Sequence, residues 1–183
     1  PLPVQNFLNY VRNETYKNNI FHRSVTNEGM SIIQSGSFSL SENQLTSNLT
    51  VSPIINEPGI ANEKGTLAYA RTSNPDSATS GWYINSKDSP GLDVGESYTV
   101  FGRASLGSLS VIDIIQNIPT DSHNVQINDQ NNVLNDFPTT DGLAPNLLTK
   151  ENIVSVENIV SINSLNHNIC LLYTSPSPRD GIG

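Results

Sequence analysis

The 183-residue chain is lightly charged, with 14% Asp, Glu, Lys and Arg, yet its formal net charge is −8. That acidic balance argues against nucleic acid as a partner, because a phosphate backbone selects clustered Lys and Arg. The length suits one domain with a sizeable core, no window is long and apolar enough for a helix to cross a bilayer, and a lone cysteine, Cys170, excludes an internal disulfide or a thiolate metal cluster. In chain order, the first periodic element covers residues 4–11. Val4, Phe7, Leu8 and Val11 recur at helical spacing, which predicts one apolar face, and Pro3 suits a first turn. Residues 13–19 are polar and turn-forming. Strands are predicted at 20–25, 31–34, 49–55, 66–70, 82–85 and 99–103, separated by clusters of Gly, Pro, Asn and Ser.

Val111, Ile114, Ile115 and Ile118 repeat the helical spacing, and Pro119 ends that helix. Residues 120–150 are rich in Asn and Asp and hold Pro138, Gly142 and Pro145, which predicts a long variable surface loop. The β-branched run 153–162 is expected to supply a closing strand. Two helices bracketing many short strands predict a mostly β domain, a barrel or a sandwich.

The chemistry concentrates in residues 20–38. Two short strands there carry one guanidinium, Arg23, and one side-chain amide, Gln34, towards a shared space. Taken alone, an arginine at a strand end covers core with its stem and pairs with a carboxylate. Further blocks give the pair a context. Phe21-His22-Arg23, then Gln34, Gly36 and Phe38, are followed by Gly65-Thr66-Leu67-Ala68 running to Ala70, by NPDSATSGWYIN at 74–85 and by YTVFGR at 98–103. Over about residues 1 to 120 these blocks resemble the cyclophilin-type peptidyl-prolyl isomerases. VQNFLNY at 4–10 and NEPGIAN at 56–62 are similar to the bacterial branch in particular.

The resemblance implies a closed antiparallel eight-stranded β-barrel, capped by two helices and lacking its first strand or strands. It implies an isomerase domain over residues 1–163. Residues 164–183 are expected to be a non-native tail, because CLLYTSPSPRD at 170–180 resembles the translation of a sequencing-library adapter. The implied activity is rotation about X-Pro bonds in unfolded or flexible chains, without a cofactor or metal and with the protein as a monomer away from membranes. Compartment is left open between bacterial cytoplasm and periplasm. Residue by residue, Arg23 matches the catalytic arginine and Gln34 the glutamine that bonds the substrate backbone. Ala70 matches a contact to the residues before proline, and Tyr83, Leu92, Tyr98 and Ile32 match the walls of the proline pocket. For Tyr83, Leu92 and Tyr98, ordinary core packing is an equal alternative.

Several positions depart from the family. The 25–34 connection lacks the usual Pro-Gly-Phe turn and is longer, leaving Met30, Ser31 or Ile32 to replace a missing phenylalanine. Gly81 stands for a second glutamine, Ser35-Gly36 for a Gly-Gly pair, and Gly91 for an occasional tryptophan. A loosened pocket and a slow isomerase are expected; a proline-peptide-binding module without catalysis, or a structural β domain, are the alternatives. The remaining chemistry is bland. His22, His123 and His167 show no metal-site spacing, and Asp76, Asp88 and Asp93 sit in turn contexts where carboxylates cap backbone amides.

Overall fold

A computed structural model describes residues 1–140, 148–164 and 167–173, with side chains described through residue 161. Helix α1, Leu2–Arg12, starts at a proline-bearing first turn and buries Phe7, Tyr10 and Val11. Five strands, β1 Asn19–Ile20, β2 Arg23–Asn27, β3 Met30–Ser35, β4 Phe38–Ser41 and β5 Gln44–Ser47, follow in quick succession. Then come β6 Thr66–Tyr69, β7 Trp82–Asn85, β8 Val100–Arg103 and helix α2 Leu109–Gln116. The chain continues through β9 Thr120–Ile127, β10 Gln130–Pro138, β11 Ser155–Val156, β12 Asn158–Ser164 and β13 His167–Tyr173.

The protein is thus mostly β with two helices. One sheet has the order β2-β3-β7-β6-β8, a second has the order β10-β9-β5-β4-β1-β11, and β12 pairs with β13. All ladders are antiparallel except a single parallel bridge between β5 and β9, Leu45 to Ile127.

Strand β7 is buried on both faces. Trp82 and Ile84 point into the main core with Phe7, Tyr16, Phe21, Leu67, Tyr69, Ile112 and Ile115. Phe21 meets the Trp82 ring edge-on at 5.8 Å. Tyr83 points to the opposite face, where a smaller apolar cluster forms. A third cluster, Leu40, Leu45, Val125, Ile127 and Phe137 among others, fills the six-stranded sheet.

Three expectations need correction. Residues 49–55 form no strand; Leu49 is 89% exposed and Val51 54%, and only Ile54 bridges to Ala78. In their place, β4 and β5 pair across Glu42-Asn43, both at positive φ. The first part of the predicted 120–150 loop is a hairpin, because His123, Val125 and Ile127 alternate inward and Asn128-Asp129 turn at φ 50° and 62°. Residues 141–147 of that stretch lie outside the described residues, as do 165–166 and 174–183 of the tail expected over 164–183, whose residues 167–173 form β13. Finally, of the expected stripe Val111, Ile114, Ile115 and Ile118, only Ile115 is buried; α2 begins at Leu109, and its i, i+3 spacing from there buries Ile112 with it.

Candidate functional site

The five-stranded sheet carries the predicted site in its register. Arg23 on β2 pairs with Gln34 on β3, Gln34 with Tyr83 on β7, and Tyr83 with Ala68 on β6. Residues directly opposite in neighbouring strands project to the same face. A cation, an amide and an aromatic ring therefore stand in one row. Ile32 lies two residues from Gln34 on that same face, opposite Val25.

Around this row an apolar cluster closes. Ile32, Ala68, Tyr83, Leu92 and Val100 are buried, and Val25, Met30, Ala70 and Tyr98 pack against them half-buried. Of the predicted pocket residues, Ile32 at 3%, Tyr83 at 2% and Leu92 at 9% exposure form its floor. Val25, Met30, Ala70 and Tyr98 are the members of this cluster that keep exposed surface. Met30, one of three residues expected in place of the missing phenylalanine, is half-buried against this cluster.

Polar bonds fix the rings. Tyr83 and Tyr98 meet edge-on at 5.9 Å. The Tyr83 hydroxyl donates to Asn62 Oδ1 at 2.8 Å, and Asn62 Nδ2 donates to Asp93 Oδ1 at 2.8 Å. Burial pushes the Tyr83 phenol up, with Tyr98 and Asp93 adding to the shift, so this group stays a neutral donor. The Arg71 guanidinium lies 4.1 Å from the centre of the Tyr98 ring and donates to the Glu96 carbonyl. Tyr98 N–H donates back to the Leu92 carbonyl at 3.2 Å, so the segment bearing both residues is tied to itself and to Arg71.

Arg23 is half-buried, and its Nε donates to Asp136 Oδ2 at 3.4 Å. The carboxylate partner that the residue type alone implies is thus present, on β10. Beside it His22 is buried against Phe38, their rings edge-on at 5.0 Å. Burial first, and the Arg23 charge second, hold the His22 pKa down at about 4. It is a packed neutral ring.

The departures from the family have local explanations. Gly36, not Ser35, takes the positive φ of 86°, and a Cβ there would meet Ser80 O at 2.4 Å. Ser35 keeps an ordinary backbone and its Oγ donates to the Ile20 carbonyl at 2.8 Å, so no strain arises from the serine. Two other departures are one event. The β2–β3 turn brings Gly29 against Gly91, whose N–H donates to Gly29 O at 2.8 Å and whose Cβ would meet that oxygen at 2.8 Å. The altered turn fills the space that a side chain at 91 would need. The three turn aspartates do cap amides: Asp76 that of Asn56, Asp88 that of Lys64 and Asp93 that of Asn62.

Sequence reasoning missed Asn62 as an anchor, Arg71 as a clamp and Asp136 as the arginine's partner. Asn62 and Arg71 lie 21 and 27 positions from the rings they hold, and Asp136 lies 113 from Arg23; no local pattern marks any of them. Among the described residues no group of His, Cys, Asp and Glu could hold a metal.

Comparison with known proteins agrees with this frame. The family model described as cyclophilin type peptidyl-prolyl cis-trans isomerase/CLD matches residues 1–135. The chain belongs to the cyclophilin-type peptidyl-prolyl cis-trans isomerase family. A peptidyl-prolyl cis-trans isomerase of Acinetobacter baylyi is 42% identical over 133 residues, covering 70% of this chain and 67% of that protein. Peptidyl-prolyl cis-trans isomerase B of Escherichia coli is 40% identical over 128 residues, covering 66% of this chain and 74% of the relative. A solved Cryptosporidium parvum cyclophilin, crystallised in the presence of the dipeptide Ala-Pro, is similar at a TM-score of 0.45 and 26% identity, over 65% of this chain and 73% of that one.

Proposed function

We propose that this chain accelerates cis-trans rotation about X-Pro bonds, with Arg23 as the donor to the twisting amide and the cluster around Tyr83 as the seat of the proline ring. The observation that carries this reading is the cross-strand row of Arg23, Gln34 and Tyr83 beside an apolar patch.

An X-Pro bond turns slowly because resonance gives its C–N bond double-bond character, with a barrier of about 18–20 kcal/mol. As the bond twists, resonance is lost and the nitrogen lone pair becomes an acceptor. A donor aimed at that nitrogen stabilises the twisted state more than the planar one, and this difference lowers the barrier. A guanidinium suits the task because it is a fixed fork that stays charged at working pH. Gln34, its neighbour in the row, would hold the peptide backbone, while Met30, Ala70 and Tyr98 receive the pyrrolidine. The apolar surround removes water that would favour the polar planar amide. The reaction requires no nucleophile or metal, only a held ring, a free carbonyl side and a poised donor.

A second reading, a proline-peptide-binding module without catalysis, draws on one observation: the Tyr83 and Ile32 side chains are almost wholly covered, so the ring seat is shallow. Exchange NMR on an X-Pro peptide separates the two. Isomerisation accelerated well beyond the uncatalysed scale of tens to hundreds of seconds supports catalysis. Peptide shifts on titration without any acceleration support the module instead.

A further inference from the structure

The hairpin β9–β10 lies against β2 and bonds to the predicted site through Asp136. Its ladder is regular from Gln130 to Leu134, then shifts before Phe137, so that the pairs Leu134–His123 and Phe137–Asp121 bracket a bulge. Asp136 lies in this bulge at φ 55°, a left-handed conformation that Asp tolerates better than most residues. The bulge returns Phe137 to the core, where it is fully buried, and leaves Asp136 against Arg23 of β2.

The contact is one long hydrogen bond, 3.4 Å from Nε to Oδ2. Asp136 Oδ2 accepts from Nε, while Nη1 and Nη2 of Arg23 meet no acceptor among the described residues. The two side chains are 37% and 42% exposed, and ion pairs as exposed as this add little to stability. The consequence of the pair is where it holds the guanidinium.

We propose that Asp136 is a positioning residue for the isomerase reaction: it anchors the Arg23 guanidinium through Nε and so leaves Nη1 and Nη2 oriented and free to donate to the substrate. This rests on the reading of Arg23 given above. The carboxylate does not touch the substrate; it acts by narrowing the orientations that the donor samples, and a displaced donor loses rate steeply.

The test uses the full chain with Asp136→Gly and Asp136→Asn, assayed for kcat and KM on an X-Pro peptide. Glycine removes the carboxylate while fitting φ 55° without strain, and asparagine keeps an acceptor oxygen at the same reach. Asp136→Gly is expected to lower kcat about three- to tenfold with KM within about twofold, and Asp136→Asn to stay within about twofold in both. The ¹H–¹⁵N signal of Arg23 Nε–H should exchange slowly with water in the native protein and in Asp136→Asn, and broaden in Asp136→Gly. A native kcat or an unchanged Nε–H signal in Asp136→Gly overturns the proposal. Arg23→Ala, run alongside, separates two failures. If it is fully active, Arg23 leaves the reaction and Asp136 leaves with it; if it is inactive beside a fully active Asp136→Gly, the Asp136 role falls alone.

Discussion

The five-stranded sheet and the β9–β10 hairpin differ in how far they satisfy buried polar groups. On the site face of the sheet, the Tyr83 hydroxyl, the Asn62 amide and the Asn85 Nδ2 group are bonded to one another or to Thr66 and Asp93, and Asn85 Oδ1 alone of this group finds no partner among the described residues. In the hairpin, His123 is 2% exposed, packs edge-on against Phe137 at 5.7 Å, and finds no partner for either ring nitrogen. The sheet spends its polar groups in a network that fixes ring orientation. The hairpin uses a histidine as an aromatic filler and directs one carboxylate, Asp136, to Arg23 of the sheet. A scaffold that must hold a ring within fractions of an ångström needs the first kind of packing; an attachment that delivers one carboxylate tolerates the second.

Acidification gives the largest expected effect, at the boundary between the two regions. His22 has a folded pKa of about 4 against the ordinary 6.5, so between those values the unfolded chain binds more protons. The stability that its burial as a neutral ring permits is therefore complete above pH 6.5 and falls as pH drops towards 4, by about 3 kcal/mol in total at about 1.4 kcal/mol per unit. Urea midpoints of the native protein and of His22→Phe, taken from pH 7 to 4, should diverge by that amount. Parallel curves would show that His22 protonates as freely in the fold as outside it.

Tyr83→Phe and His123→Phe break the comparison most sharply, because they should move in opposite directions. Tyr83→Phe deletes one satisfied bond and strips Asn62 of a donor, which should cost about 1–2 kcal/mol. His123→Phe removes two unpaired ring nitrogens while keeping an aromatic of similar volume, which should stabilise the protein by about 1 kcal/mol. Thermal midpoints settle both; a destabilised His123→Phe would mean that this ring is hydrogen-bonded after all. The smallest effect belongs to Lys64 and Asp113, whose 2.7 Å pair joins the sheet side to α2 with side chains 38% and 48% exposed. Asp113→Asn should lower the unfolding free energy measured in urea by no more than about 0.5 kcal/mol, and less in high salt.

What could be read from the sequence follows the same division. Helix α1 and strands β2, β3, β6, β7 and β8 carry enough apolar or β-branched residues for their period to show, and their site residues sit in motifs. The β4–β5 hairpin did not show, since its Ser-rich strands bury only Leu40 and Leu45 and its turn is Glu42-Asn43 rather than a glycine pair. Residues 49–55 misled for the converse reason: Leu49, Val51 and Ile55 have strand-like side chains but no neighbouring strand to pair with. Arg23 and Gln34 were legible as a pair because one short hairpin sets them opposite each other. Asp136 was not, because a bulge aims it and bulges leave little trace in composition.

The most direct test of the account is the catalysed rate of Arg23→Ala on an X-Pro peptide, with folding checked by the thermal midpoint. Removing a transition-state donor from a folded protein should lower kcat about 100-fold or more while the midpoint moves by the small amount expected of a half-exposed ion pair. A folded Arg23→Ala that isomerises the peptide at the native rate would contradict the account.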